Sequence, residues 1–141
     1  MPARILVADD DRPFRESLAG KLESQGFEVV SAQSGRDALR HFEAGSFDLV
    51  LADVLMPDLD GLALAAEVRR IANEQEVILV TQRSDVGAAV AALRAGASDF
   101  LLKPVDEGEL VQRVSRALER VALRRERAQL LSENLEFVKN Q

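Results

Sequence analysis

Short continuous apolar runs alternate with amphipathic segments along the whole chain. Ile5-Leu6-Val7-Ala8 has no polar position, as expected of a strand buried on both faces. It stops at Asp9-Asp10-Asp11, and Pro13 then stands where the first turn of a helix accepts proline. Phe14, Leu18 and Leu22 recur at helical spacing, and Gly26 supplies the stop. Phe27 to Ala32 contains a second strand. Ser34 caps a helix carrying Ala38, Leu39 and Phe42, which Gly45 closes. Leu49-Val50-Leu51-Ala52 is a third buried strand ending at Asp53. The turn-rich stretch Met56-Pro57-Asp58-Leu59-Asp60-Gly61 leads into a helix with Leu62, Ala65, Ala66 and Val68. Val77-Ile78-Leu79-Val80 is a fourth strand ending at Thr81. Ser84 or Asp85 caps the next helix, which Gly96 ends. Phe100-Leu101-Leu102 is a fifth strand running into Lys103-Pro104, and a last helix starts near Asp106.

Five strand–helix units of roughly 20–25 residues predict an α/β protein with a doubly wound parallel sheet and right-handed crossovers. This periodicity leaves the strand order open. The chain of 141 residues is 47% hydrophobic and 30% charged, an ordinary globular balance that argues against disorder. Its net charge of -6 argues against a diffuse nucleic-acid-binding surface. With no cysteine, disulfides, thiol catalysis and zinc–thiolate sites are excluded. The apolar run after Met1-Pro2-Ala3-Arg4 is too short for a signal-peptide core, and the longest low-polarity run, Val86 to Leu93, is too short for a membrane span. A cytoplasmic location without membrane contact is expected.

In an open α/β sheet, ligands bind beyond the carboxyl ends of the strands. The residues that follow the apolar runs are therefore informative: Asp9 and Asp10, then Asp53, Thr81 and Lys103. Three carboxylates placed together repel one another unless a cation sits among them. Hard oxygen ligands with open positions suit Mg²⁺, which retains waters and binds through few carboxylates plus a phosphate. A hydroxyl and an ammonium suit the remaining phosphoryl oxygens. One carboxylate then acts as the nucleophile, and phosphoryl transfer onto aspartate is the chemistry these types support. Singly, each has an ordinary explanation. An acidic triplet is usually a turn or cap, a strand-terminal aspartate an N-cap, a threonine a strand former and a lysine a solvated charge. It is their joint occurrence at successive strand ends that favours the chemical reading.

The chain resembles the receiver domain of bacterial two-component response regulators over about residues 4–121. The resemblance is carried by Ile5 to Asp11, by Asp53 with Met56-Pro57 and Asp60-Gly61 behind it, by Val80-Thr81 and by Lys103-Pro104. It implies a flavodoxin-like sheet of order 2-1-3-4-5, with two helices on one face and three on the other. It also implies that Asp53 is the phosphoacceptor and that Asp10 and Asp53 coordinate Mg²⁺. Leu55 adds its backbone carbonyl, and Asp9 supports the metal indirectly. Thr81 matches the switch hydroxyl, Lys103 the phosphate-pairing lysine and Phe100 the aromatic that turns as the threonine moves. A cis Lys103–Pro104 bond is implied as well. The protein is expected to be a signalling switch rather than an enzyme, accepting phosphate from a sensor histidine kinase or phosphotransfer protein and losing it slowly.

Two residues at the site mouth depart from the family pattern, and a third stands close by. Gln82 stands where a small residue is usual and is expected to slow access. Leu55 is apolar where a polar side chain is frequent, and Arg83 is placed to reach phosphate oxygens. Two competing readings follow. Gln82 and the long last helix suit a receiver that never takes phosphate and serves as a dimerisation scaffold. Asp9-x-Asp11 after the first strand suits a haloacid-dehalogenase-like phosphatase, although Arg12-Pro13 stands where that family has glycine and threonine soon after. Phosphate-binding glycine loops are absent, and His41, in a polar helix, is read as a surface residue.

The last helix continues without glycine or proline beyond Gly108. Leu110, Val114, Ala117, Val121, Arg124, Ala128, Leu131, Leu135 and Val138 follow a 4-3 heptad alternation. The expected division is a receiver domain over 1–121 and a helical extension over 122–141 without a partner in the domain. That extension is read as a parallel coiled coil between two copies, or a connection to an output domain elsewhere. Arg124, Arg125 and Arg127 are read as a solvated basic face.

Overall fold

A computed structural model describes residues 2–82 and 86–140. The five strands are β1 (Arg4–Ala8), β2 (Glu28–Ala32), β3 (Leu49–Asp53), β4 (Glu76–Gln82) and β5 (Asp99–Lys103). The helices are α1 (Arg12–Ser24), α2 (Gly35–Ala44), α3 (Gly61–Ile71), α4 (Val86–Arg94) and α5 (Glu107–Lys139). All strand pairs are parallel, in the order β2-β1-β3-β4-β5. This is the doubly wound sheet expected, in the implied order.

The alternation of side chains along each strand divides the core in two. Ile5, Val7, Leu49, Leu51, Ile78, Val80 and Leu101 face α1 and α5, meeting Leu18, Leu22, Leu110, Val114 and Ala117. Leu6, Ala8, Val50, Ala52, Val77 and Leu79 face α2, α3 and α4, meeting Ala38, Phe42, Leu64, Ala65, Val68 and Ala92. Two helices thus cover one face and three the other. Full burial of each large apolar side chain contributes about 1.5–3 kcal/mol, so the paired cores hold the strand ends in place.

Side-chain caps set the helix starts. Ser34 Oγ accepts the Asp37 N–H at 3.1 Å, Asp60 the Ala63 N–H at 2.8 Å and Asp106 the Glu109 N–H at 2.9 Å. Asp11 caps α1, so one member of the acidic triplet is the ordinary cap that such triplets usually supply. The proposed caps Ser84 and Asp85 lie outside the described residues. A Cβ on Gly61 would stand 2.3 Å from the Asp53 carbonyl oxygen, so only glycine lets α3 start this close to the end of β3.

The 33 residues of α5 make a rod about 50 Å long, buried against the sheet only at Leu110, Val114 and Ala117. Its contact with the body continues past residue 121, through charges. Arg120 and Arg124 pair with Glu76 at 2.9 and 2.8 Å, Arg124 also reaches Glu74, and Arg125 pairs with Asp48. Arg124, with its side chain 28% exposed, is therefore docked on the domain and not solvated as expected, whereas Arg125 keeps most of its surface in solvent while pairing with Asp48, as expected of a solvated basic face. Arg124 and Ala128 line a groove of about 590 Å³ against Phe47 and Ala72. The heptad seam accordingly divides: its first part faces this chain's own body, while Leu131, Leu135 and Val138 remain exposed at 57%, 67% and 67%.

Candidate functional site

Four of the five strands deliver one of the sequence-predicted side chains to one edge of the sheet. Asp9 follows β1, Asp53 ends β3, Thr81 lies near the end of β4 and Lys103 ends β5. The strand order places β1 and β3 side by side with β4 and β5 beyond them, which turns distant sequence positions into neighbours. Lys103 Nζ donates to Asp53 Oδ2 at 2.7 Å and to Asp9 Oδ2 at 3.3 Å. One oxygen each of Asp9, Asp10 and Asp53 lies within 4.8 Å of the other two, a spacing a small hard cation can bridge.

The carboxylates are fixed from below. Asp9 Oδ1 accepts the Asp11 N–H at 2.9 Å, and Asp53 Oδ1 accepts the Leu55 N–H at 3.0 Å. Arg15 Nη1 donates to the Asp9 carbonyl oxygen at 2.7 Å, pinning the turn between β1 and α1. Asp9 and Asp53 are buried, whereas Asp10 is exposed. Burial pushes the Asp9 carboxyl up to about 6, and the charge of Asp53 adds to it. The Asp11 N–H and Lys103 work against that rise. For Lys103, burial favours the neutral amine, but the hydrogen bond and charge of Asp53, then those of Asp9, prevail and raise its pKa. The ammonium thus offsets the charge of the two buried carboxylates, Asp9 and Asp53.

Thr81 is buried, and its hydroxyl finds no hydrogen-bond partner among the described residues. A buried hydroxyl without an acceptor is costly, and it fits a ligand oxygen arriving from outside the chain. Gln82 lies opposite Lys103 in the β4–β5 register, with its side chain exposed. Leu55 is 60% exposed at the mouth. Phe100 is half-buried on edge strand β5, and the Lys103–Pro104 bond is cis. Arg83 lies outside the described residues.

Two contributors escaped the sequence reading. Phe14, read there as helix core, places its ring centroid 4.1 Å from Lys103 Nζ. Arg15 braces Asp9 through a backbone oxygen, a contact that no residue-type pattern signals. For Phe14 the available signal was its place one turn after a strand-terminal acidic cluster.

A family model for the response regulator receiver domain matches residues 5–115. The response regulator MprA of Mycolicibacterium vanbaalenii is 43% identical over 120 residues, covering 85% of this chain and 52% of MprA. The transcriptional regulatory protein GlrR of Escherichia coli is 39% identical over 121 residues, covering 86% of this chain and 27% of GlrR. The chain thus spans about half the length of the first relative and about a quarter of the second. Among solved structures, a putative response regulator from Chloroflexus aurantiacus superposes with a TM-score of 0.82 at 36% identity, covering 84% of this chain and 99% of that one. The receiver domain of NtrX from Brucella abortus gives 0.79 at 35% identity, covering 82% and 98%.

Proposed function

Because the chain belongs to the response regulator receiver family, we propose that it is a switch thrown by phosphorylation of Asp53, with Asp9, Asp10, Thr81 and Lys103 as the supporting set. The observation that carries this reading is the joining of Asp9, Asp53 and Lys103 at adjoining strand ends, with Asp10 completing a cluster of acceptor oxygens. In the transfer, the bond from phosphorus to the donor histidine nitrogen breaks as a bond to an Asp53 carboxylate oxygen forms. Asp10 and Asp53, with the Leu55 carbonyl, would hold Mg²⁺, with Asp9 in indirect support, and a cation held there would supply charge neutralisation for the phosphoryl group. Lys103 is placed to pair with one phosphoryl oxygen. The unpartnered Thr81 hydroxyl is suited to donate to another.

The same contacts supply the signal. An aspartyl phosphate adds negative charge and acceptor oxygens beside Asp53, which draws Thr81 and Lys103 toward it. Movement of Thr81 opens room for Phe100 on β5, coupling the site to α4, β5 and the root of α5. The donor is a sensor histidine kinase or phosphotransfer protein in the cytoplasm, and the chain itself binds neither nucleic acid nor membrane. Among the described residues no helix is long and apolar enough to cross a membrane. Leu131, Leu135 and Val138, with Leu130 and Phe137 beside them, are the apolar positions through which two copies pair along α5.

The test is incubation with acetyl phosphate and Mg²⁺, read by intact mass. Wild type should gain one phosphoryl group and Asp53→Asn none; an equally labelled Asp53→Asn protein refutes the assignment. Sedimentation of the full chain and of a chain ending at residue 128 should show a dimer only for the former. A full chain that remains monomeric at high concentration, with and without beryllofluoride, removes the pairing role of α5.

A further inference from the structure

The Lys103 ammonium has three N–H bonds to place, and two point at Asp53 and Asp9. On a further side it meets the face of Phe14, whose ring centroid lies 4.1 Å from Nζ. That distance is within the range where the ring quadrupole attracts a cation, and Lys103 is largely out of solvent, with its side chain 11% exposed. The ring is not free to leave. Phe14 packs against the cluster of Ile5, Val7, Leu18 and Leu101. The turn that carries it is capped by Asp11 and tied to β1 by the bond from Arg15 to the Asp9 carbonyl.

We infer that Phe14 is a positioning residue for phosphoryl transfer, holding the Lys103 ammonium at the reacting edge through its aromatic face. The inference rests on Asp53 being the phosphoacceptor. Both carboxylates that bind Lys103 change during that reaction, since Asp53 becomes an acyl phosphate and Asp9 shares its charge with the metal site. The ring is neutral and is consumed by neither event. It is the contact that keeps a flexible four-carbon side chain aimed at the phosphoryl oxygen before and after transfer. A purely packing role for Phe14 makes a different forecast, because leucine would fill most of the same space without a quadrupole.

The experiment uses the full chain with Phe14→Leu and Phe14→Tyr, each with Lys103 intact and with Lys103→Met. Rates of Mg²⁺-dependent labelling by acetyl phosphate are read by intact mass. Phe14→Leu should slow labelling about three- to thirty-fold, the kinetic equivalent of a partly desolvated cation–π contact, and Phe14→Tyr should stay within about two-fold of wild type. With Lys103→Met, Phe14→Leu should add nothing further. In proton NMR the ε-methylene signals of Lys103 should be shifted by the ring current in wild type and Phe14→Tyr, and released in Phe14→Leu. Equal slowing by leucine and tyrosine, or the same slowing by Phe14→Leu with and without Lys103, overturns the inference. Labelling that survives Asp53→Asn while the ring-current shift persists would instead defeat the phosphoacceptor reading, leaving the lysine–ring contact intact.

Discussion

Asp9→Asn should make the metal-free protein more stable at neutral pH. Asp9 is 1% exposed, and its carboxyl titrates near 6 instead of its ordinary 3.8, chiefly through burial and then through the charge of Asp53. A raised carboxyl pKa in the folded state means that folding favours the protonated form. The stability it confers is fully present below 3.8 and is lost as pH rises through about 6. At about 1.4 kcal/mol per tenfold change, ionised Asp9 thus costs the folded protein roughly 3 kcal/mol at pH 7.5. Asparagine removes that charge and keeps an oxygen for the Asp11 N–H, but it weakens the 3.3 Å contact with Lys103. A net gain of about 1–3 kcal/mol remains. Urea unfolding in EDTA at pH 7.5, 6 and 4 measures it, and the advantage should shrink toward zero at the lowest pH. Addition of Mg²⁺ should narrow the gap, since occupancy at a hundredfold excess over Kd stabilises the wild type by about 2.7 kcal/mol and the variant by less. An Asp9→Asn protein that is less stable than wild type in EDTA at pH 7.5, or whose advantage ignores pH, refutes the reasoning.

Glu76→Gln should destabilise the fold by about 1–3 kcal/mol, below the full cost of breaking a buried pair because Arg120 and Arg124 are 40% and 28% exposed. Burial alone would raise the pKa of Glu76, but hydrogen bonds from Arg120, Ser98 and Arg124 hold it below its ordinary value. The defect should therefore be seen in melts above pH 4.5 and fade as pH falls through the lowered pKa. Gly61→Ala should cost about 3 kcal/mol in chemical unfolding and slow Asp53 labelling, because the new Cβ would stand 2.3 Å from the Asp53 carbonyl oxygen. Gln82→Ala should speed labelling by small phosphodonors, and equal rates in stopped-flow would show that the exposed glutamine does not obstruct the mouth.

Much of this protein was legible before any coordinate. Strands buried on both faces are short apolar runs, and their ends are marked by the first charged or hydroxylic residue, so Asp9, Asp53, Thr81 and Lys103 could be placed at one edge from pattern alone. Caps such as Ser34, Asp60 and Asp106 act on residues three positions away and are likewise local. Strand order rested on family resemblance, because periodicity says that a strand is buried without saying which strand lies beside it. What only the tertiary structure decided depends on partners far apart in the chain. Lys103 meets Asp9 across 94 positions, and Arg125 meets Asp48 across 77. Phe14 reads as core in any helical pattern, since an apolar residue facing a sheet and a ring facing an ammonium have the same spacing. The α5 seam shows the same limit. A 4-3 alternation states that one stripe of a helix is apolar, but not whether the stripe meets a sheet or another helix. Here it meets the sheet as far as Ala117, continues through ion pairs to Arg125, and becomes free only beyond Ala128.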